Sequence, residues 1–166
     1  MADLLTHVLV AYALGTVASW RLEWLSKRWI AVAMVGAVLP DLNRIGLFVA
    51  DPAVEGILGA PFAIDALQTL GGIIVLAGLG ALAFDRRWMR AYGLLLAGGL
   101  SHLLLDAVKR YADGHAGTWL FPVTWYRHPT PNLYVSSDPA VLLVAASVAF
   151  AVWAVDRRWA DDHEPA

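Results

Sequence analysis

Apolar positions in this chain come in long blocks rather than in the alternation of a strand or the one-sided stripe of a soluble helix, and polar residues collect between the blocks. Residues 2–20 are mostly apolar, with Asp3, Thr6 and His7 near the start, and a turn rich in cations and tryptophan follows at 21–29. A second apolar run covers 29 to about 49, and Leu39-Pro40-Asp41-Leu42-Asn43-Arg44 interrupts its second half. Residues 51–63 carry the turn formers Pro52, Gly56, Gly59 and Pro61, which predict a loop with an interfacial helical piece. The third run, 66–84, holds Gly71, Gly72, Gly78 and Gly80, small residues that let helices approach closely in lipid. The fourth runs from 91 to about 109 and the fifth from 139 to 155, separated by the long polar segment 110–138. Each run is about the length that spans a hydrocarbon core. The pattern predicts an all-α fold, a polytopic membrane helix bundle of about five transmembrane helices. Residues 1–159 form its single domain, and 160–166 form a short acidic tail expected to be disordered.

Composition points the same way. Of the 166 residues, 59% are hydrophobic and 16% charged, against roughly 45–50% and about 25% in soluble domains. A net charge of −2 with cations confined to short clusters gives no basis for nucleic-acid binding, and the absence of cysteine excludes disulfides and thiolate metal sites. The first segment has no basic stretch ahead of it and reads as a retained helix rather than a cleaved signal. Lys27-Arg28-Trp29, Arg86-Arg87-Trp88 and Arg157-Arg158-Trp159 each place two cations and an indole at a span boundary. Such clusters anchor helix ends at the interface, with the cations biased to the cytoplasmic side. This predicts a plasma (inner) membrane protein, multi-pass, with an outside N-terminus and a cytoplasmic C-terminus.

The polar residues inside the runs then fall at one depth. His7 lies 14 residues before Arg21, Asp41 lies 13 after Arg28, Gln68 lies 18 before Arg86, and His102 and Asp106 lie 12 and 16 after Arg90. At helical rise these separations are roughly 18–27 Å from the basic boundary. Four helices therefore bring polar groups to one level in the outer half of the membrane. His102 and Asp106, four apart, share one face of a helix in a segment otherwise built from Leu, Ala and Gly. An ionisable group at such depth is costly and calls for a partner or a function.

Two imidazoles and two carboxylates suit a divalent metal, zinc first and manganese as the alternative, and a metal with an open position activates water for attack on an ester or phosphodiester. A carboxylate could instead serve as general base. Gly99-Leu100-Ser101-His102 lacks a nucleophile elbow, and neither a phosphate-binding loop nor a dinucleotide fingerprint is present. Taken singly, each residue has a plainer use. Asp41 can cap the helix broken at Leu39-Pro40, Asn43 can satisfy the backbone freed there, and His102 with Asp106 can hold helices together. Ser101 and Thr69 are expected to bond to backbone in their own helices, and His115 and His128 are expected to be solvated loop residues.

Thr6-His7, Leu39-Pro40-Asp41-Leu42-Asn43, and Ser101-His102-Leu103-Leu104-Leu105-Asp106 followed by Trp119-Leu120-Phe121-Pro122 resemble the YdjM-like membrane-bound metal-dependent hydrolases, over about residues 4–128. That family is distantly similar to zinc-dependent phospholipase C and the P1-type nucleases. The resemblance implies that His7, Asp41, His102 and Asp106 are metal ligands. The chain departs from the family at 63–69, Ala-Ile-Asp-Ala-Leu-Gln-Thr, where the family has His-Arg-x-x-Thr-His-Ser, and Asn43 stands where a second Asp is common. Gln68 aligns with the second missing histidine, and Asp65 or His128 would have to compensate. A single-metal site, or a degenerate one, is then expected rather than a cluster.

The expectation is a metal-dependent hydrolase acting on an ester or phosphodiester, plausibly of a membrane lipid, with Gln68 and Asp106 catalytic. Arg127 and His128 would meet an anionic headgroup from the loop. The alternative is a non-catalytic membrane protein whose polar cluster is structural or binds a lipid or partner. An ion pathway is disfavoured, because 31–38 and 91–96 are almost free of polar residues.

Overall fold

Every apolar run becomes helix. A computed structural model describes residues 2–162 of the chain, and the side chains of 4–159. Helix α1 is Ala2–Ser19, α2 is Lys27–Gly36, α3 is Asp51–Leu58, α4 is Leu70–Ala81, α5 is Trp88–Val108 and α6 is Pro139–Asp162. Two 3₁₀ segments, Leu39–Leu47 and Ile64–Gln68, lie between α2 and α3 and between α3 and α4. Among the described residues there is no strand, only two isolated bridges within the long loop. The all-α membrane bundle read from the pattern is what forms. Three segments, Lys27–Leu47, Trp88–Val108 and Pro139–Trp159, are long and apolar enough to cross a bilayer, while α1 and α4 are shorter apolar helices.

The expected third span is the element that differs most. A continuous helix over 66–84 is replaced by a 3₁₀ turn, an extended Thr69 and a twelve-residue α4. Thr69 sits at the break: its hydroxyl donates to Ala66 O at 2.7 Å and accepts from Gly72 N at 3.1 Å, which caps α4. The next two amides donate across the fold, Leu70 N to Trp119 O at 2.7 Å and Gly71 N to Phe121 O at 2.8 Å. Donors that a longer helix would satisfy internally thus dock the 110–138 loop onto the bundle. The second run breaks where expected, at Leu39-Pro40, and the helical piece expected within 51–63 is α3. Helix α6 runs to Asp162, three residues into the expected acidic tail, because 156–162 continue its last turns instead of fraying. Residues 163–166 lie outside the described part.

Around α5 the bundle is assembled: α2 and α4 pack against it, while α1 bridges α2 and α6. The α2/α5 contact is backbone against backbone. A Cβ built on Gly36 would sit 2.2 Å from Leu95 O, and one on Gly98 would sit 2.0 Å from Ala33 O. Only glycine fits either position, and that closeness sets the height of His102 against the end of α2. The basic clusters gather at one end. Trp20 Nε1 donates to Asp156 Oδ1 at 3.2 Å and its ring lies 5.5 Å from Trp159, Trp29 lies 6.0 Å from Phe84, and the Arg90 guanidinium lies 5.3 Å over Trp24. The long loop closes the opposite end.

Candidate metal centre

His7 comes from α1 and His102 and Asp106 from successive turns of α5, and their ligating atoms all lie within 4.8 Å of one another. All three side chains are buried. The imidazoles are stacked, ring centroids 3.7 Å apart at 16°. His7 Nε2 lies 3.5 Å from Asp106 Oδ1, and His102 Nε2 lies 3.4 Å from Asp106 Oδ2.

The tautomer of His102 follows from its other nitrogen. Nδ1 is 2.8 Å from Ala37 O, and a carbonyl can only accept, so Nδ1 carries a proton and donates it. Ala37 is the residue at which α2 ends, and its carbonyl is free to accept because Leu39-Pro40 follows and proline offers no N–H. Nε2 then points a lone pair at a carboxylate and has no hydrogen-bond partner, although it is buried. Two acceptors facing each other in a buried site repel unless positive charge lies between them. A second proton or a metal ion meets that need. A backbone carbonyl holding the far nitrogen of a histidine is the usual support of a metal-ligating imidazole. The donor set therefore fits a divalent metal.

Other groups surround the same carboxylate. Gln68 Nε2 donates to Asp106 Oδ2, and Asn43 Nδ2 donates to Gln68 Oε1 at 2.8 Å. The Gln68 amide is thereby oriented from both ends. Lys109 Nζ donates to Asp106 Oδ1 at 2.9 Å, one turn along at the end of α5. Lys109 was not singled out from sequence, although its spacing of three from Asp106 places it on the same helix face. Asn43 satisfies no freed backbone of its own segment here but carries the link from the broken second run to Gln68.

Asp41 stands outside the His7, His102 and Asp106 group. Its Oδ1 accepts from Arg44 Nε at 2.9 Å, while its Oδ2 is buried without a hydrogen-bond partner. Asp65 is exposed and lines the cavity beside Gln68 without joining the group. His128, expected to be a solvated loop residue, is instead half-buried: it packs edge-on against Tyr126 at 4.8 Å, and its Nε2 is buried with no hydrogen-bond partner. Ser101 Oγ donates to Gly98 O at 2.7 Å and Thr69 Oγ1 to Ala66 O, the local bonds expected of both.

A cavity of about 330 Å³ connects the group to the long loop. Gln68, Thr69 and Asp106 form its floor, and Tyr111, Trp119 and Arg127 line the loop side. Trp119 Nε1 is buried with no hydrogen-bond partner. Arg127 braces the loop, donating from Nε to Ala116 O at 3.0 Å and pairing with Asp113 Oδ2 at 2.7 Å. Asp113 accepts from the His115 amide, and this bond, with the Arg127 guanidinium after it, holds its carboxyl below the usual carboxylate range. His115 itself is exposed, as a solvated loop residue should be. Over the cavity the loop is pinned at both ends, by Tyr134 Oη donating to Leu105 O at 3.0 Å and by Leu70 and Gly71 of α4.

The chain matches no protein-family model, no curated protein and no solved structure.

Proposed function

We propose that this protein is a membrane-bound metal-dependent hydrolase acting on an ester or phosphodiester, with His7, His102 and Asp106 as the metal ligands. The observation that carries the reading is the His102 ring, whose Nδ1 is held by Ala37 O at 2.8 Å while its buried Nε2 lies 3.4 Å from the Asp106 carboxylate with no hydrogen-bond partner. Zinc suits two imidazoles and one carboxylate best, with manganese as the alternative. A bound divalent metal supplies Lewis acidity and activates water near neutral pH.

The chain's own groups divide the remaining work. Ala37 O fixes the ring plane of His102, and the stacked His7 limits its rotation. Gln68, held by Asn43 and Asp106, presents a fixed amide at the cavity floor and orients water or substrate. Arg127 and Trp119 Nε1 line the wall where an anionic group would sit. The substrate's scissile bond lies between that wall and the floor, shielded from bulk water by the loop. With a single histidine pair and Gln68 in place of a further imidazole, the site holds one metal. This is the activity that the motifs around His7, Asp41 and His102 suggest by their likeness to the YdjM-like hydrolases. The site end faces outward across a prokaryotic plasma membrane, opposite the basic clusters.

One observation favours a second reading. Asp106 already accepts from Gln68 and Lys109, so a polar network that only ties α1, α5 and the two 3₁₀ segments together would also be charge-compensated. Metal analysis of detergent-purified protein decides between the two. The hydrolase reading expects near-stoichiometric zinc or manganese in the native chain and loss of most of it in His102→Ala and in Asp106→Ala. Native protein that stays metal-free after incubation with either ion would leave only the structural network.

A further inference from the structure

Helix α3 is turned inside out for a helix in water. Its two acidic side chains are spent on its own neighbourhood: Asp51 Oδ1 accepts from Ile64 N and Glu55 Oε1 from Phe62 N, both at 3.1 Å. Its apolar side chains and those just before it point away from the protein. Ile57 is 84% exposed, Phe48 88% and Leu47 80%. No other charged residue occurs between Arg44 and Asp65. A surface on which the exposed Asp51 and the half-buried Glu55 each accept a backbone amide, while isoleucine, leucine and phenylalanine face out, suits the lipid interface. The segment also continues directly from Lys27–Leu47, one of the three stretches long and apolar enough to span a bilayer.

Behind that surface lies a second cavity, of about 590 Å³, lined by Asn43, Arg44, Leu47 and Asp65 among others. Asp65 also lines the cavity that reaches Asp106, and Asn43 is bonded to Gln68. The two cavities therefore lie side by side, with Asp65 in the wall of both and the Asn43–Gln68 bond joining their linings. Arg44, partly exposed beside it and paired through Nε with Asp41 Oδ1 at 2.9 Å, is the one cation among the residues that line this cavity.

We propose that the wall formed by residues 42–58 is seated in the membrane leaflet and that the substrate is an amphiphile with an anionic headgroup, entering from lipid past Leu47 and Arg44 to Gln68 and Asp106. The apolar rim takes the hydrocarbon portion and Arg44 the headgroup. Lateral entry explains why the aqueous end of the site is closed by a loop pinned to α4 and α5. The substrate half of this proposal rests on the hydrolytic reading of the site, whereas the leaflet placement of the wall does not.

The chain has no cysteine, so single cysteines introduced as Leu47→Cys and Ile57→Cys can carry a nitroxide without further changes. Both positions are exposed and tolerate the label. Each variant is placed in vesicles of phosphatidylcholine and phosphatidylglycerol at high lipid-to-protein ratio, with Glu23→Cys as the aqueous reference and Val148→Cys as the lipid reference. Relaxation by oxygen severalfold stronger than by a water-soluble nickel chelate, matching Val148→Cys, is the expected result at both sites. Behaviour like Glu23→Cys, or shielding from both agents as under a second copy or a protein partner, overturns it. In the same vesicles a photoreactive phosphatidylglycerol with its diazirine near the headgroup should label residues 43–68, and Arg44→Gln should lower that labelling severalfold. Labelling confined to α6, or unchanged in Arg44→Gln, overturns the entry route. Neither readout uses metal or turnover. Metal-free protein would thus sink the hydrolase and leave the leaflet seat standing, and a solvated Leu47 would do the reverse.

Discussion

Asp106 is contacted by more polar groups than any other side chain of the site, and Lys109 sets the terms for the rest. An ammonium 2.9 Å from Oδ1 already neutralises the charge that a metal would use. At about 4 Å, two unit charges in a partly buried setting interact by roughly 4 kcal/mol, so the lysine must swing aside or share the carboxylate when a cation binds. Lys109→Met keeps the stem and removes the charge. Zinc affinity, measured by competition with a chelating dye in detergent, is expected to rise about tenfold or more, equivalent to about 1.4 kcal/mol. Unchanged affinity would mean that the metal does not use Asp106. Sequence reading found His7, Gln68, His102 and Asp106 because buried polar residues stand out against leucine and alanine. It missed Lys109 because a cation at a helix end has the ordinary use of complementing the carbonyl terminus. It could not reach the carbonyl of Ala37, since a backbone acceptor carries no mark in the side-chain pattern.

At the scale of elements, the geometry of His102 depends on how closely α2 and α5 cross. Gly36 and Gly98 let the backbones touch, and four residues on from Gly98, one turn along the same face, His102 meets Ala37 O. Gly98→Ala would put a methyl within 2.0 Å of Ala33 O, which forces the helices apart. The expected cost is about 1–3 kcal/mol of stability, the usual penalty for overpacking. Gly93→Ala on the same helix has open space at its Cβ and is the control, neutral or slightly stabilising. Thermal unfolding in detergent reads both, and equal midpoints would refute the close crossing. The break at Leu39-Pro40 was legible because proline removes a donor and clashes with the preceding turn. The break at Thr69 was not. Threonine inside Leu-Gln-Thr-Leu-Gly-Gly is compatible with a helix, and what ends it is a pair of acceptors, Trp119 O and Phe121 O, fifty residues away in sequence.

For the whole molecule, the expectation that polar groups on separate helices reach one depth rested on counting from the basic clusters, and those clusters do lie together at one end of the bundle, joined by Trp20, Trp24, Trp29 and Trp159. Counting worked for His7, His102 and Asp106 because α1 and α5 are unbroken over nearly all of the counted stretch and rise regularly. It was blind to rotation, which is why Asp41 reaches the right level yet pairs with Arg44 while Asn43, two residues on, turns toward Gln68. The same gathering of cations governs orientation. Six Lys or Arg residues in the three clusters sit on the face that receives Trp20 and Trp159, and short loops bearing excess cations stay in the cytoplasm. On that rule the 110–138 loop and the start of α1 are expected across the membrane from the clusters. A sandwich fusion of alkaline phosphatase at Asp113 is expected to be active and a C-terminal green fluorescent protein to be fluorescent. Reversing the cations of Arg86-Arg87 and Arg157-Arg158 to glutamate should weaken this preference, because the bias is set by the number of cations near the span ends and not by the apolar sequence between them. An inactive phosphatase at Asp113 beside a fluorescent C-terminus would place the loop and the tail on one side, which an α6 that crosses the membrane forbids.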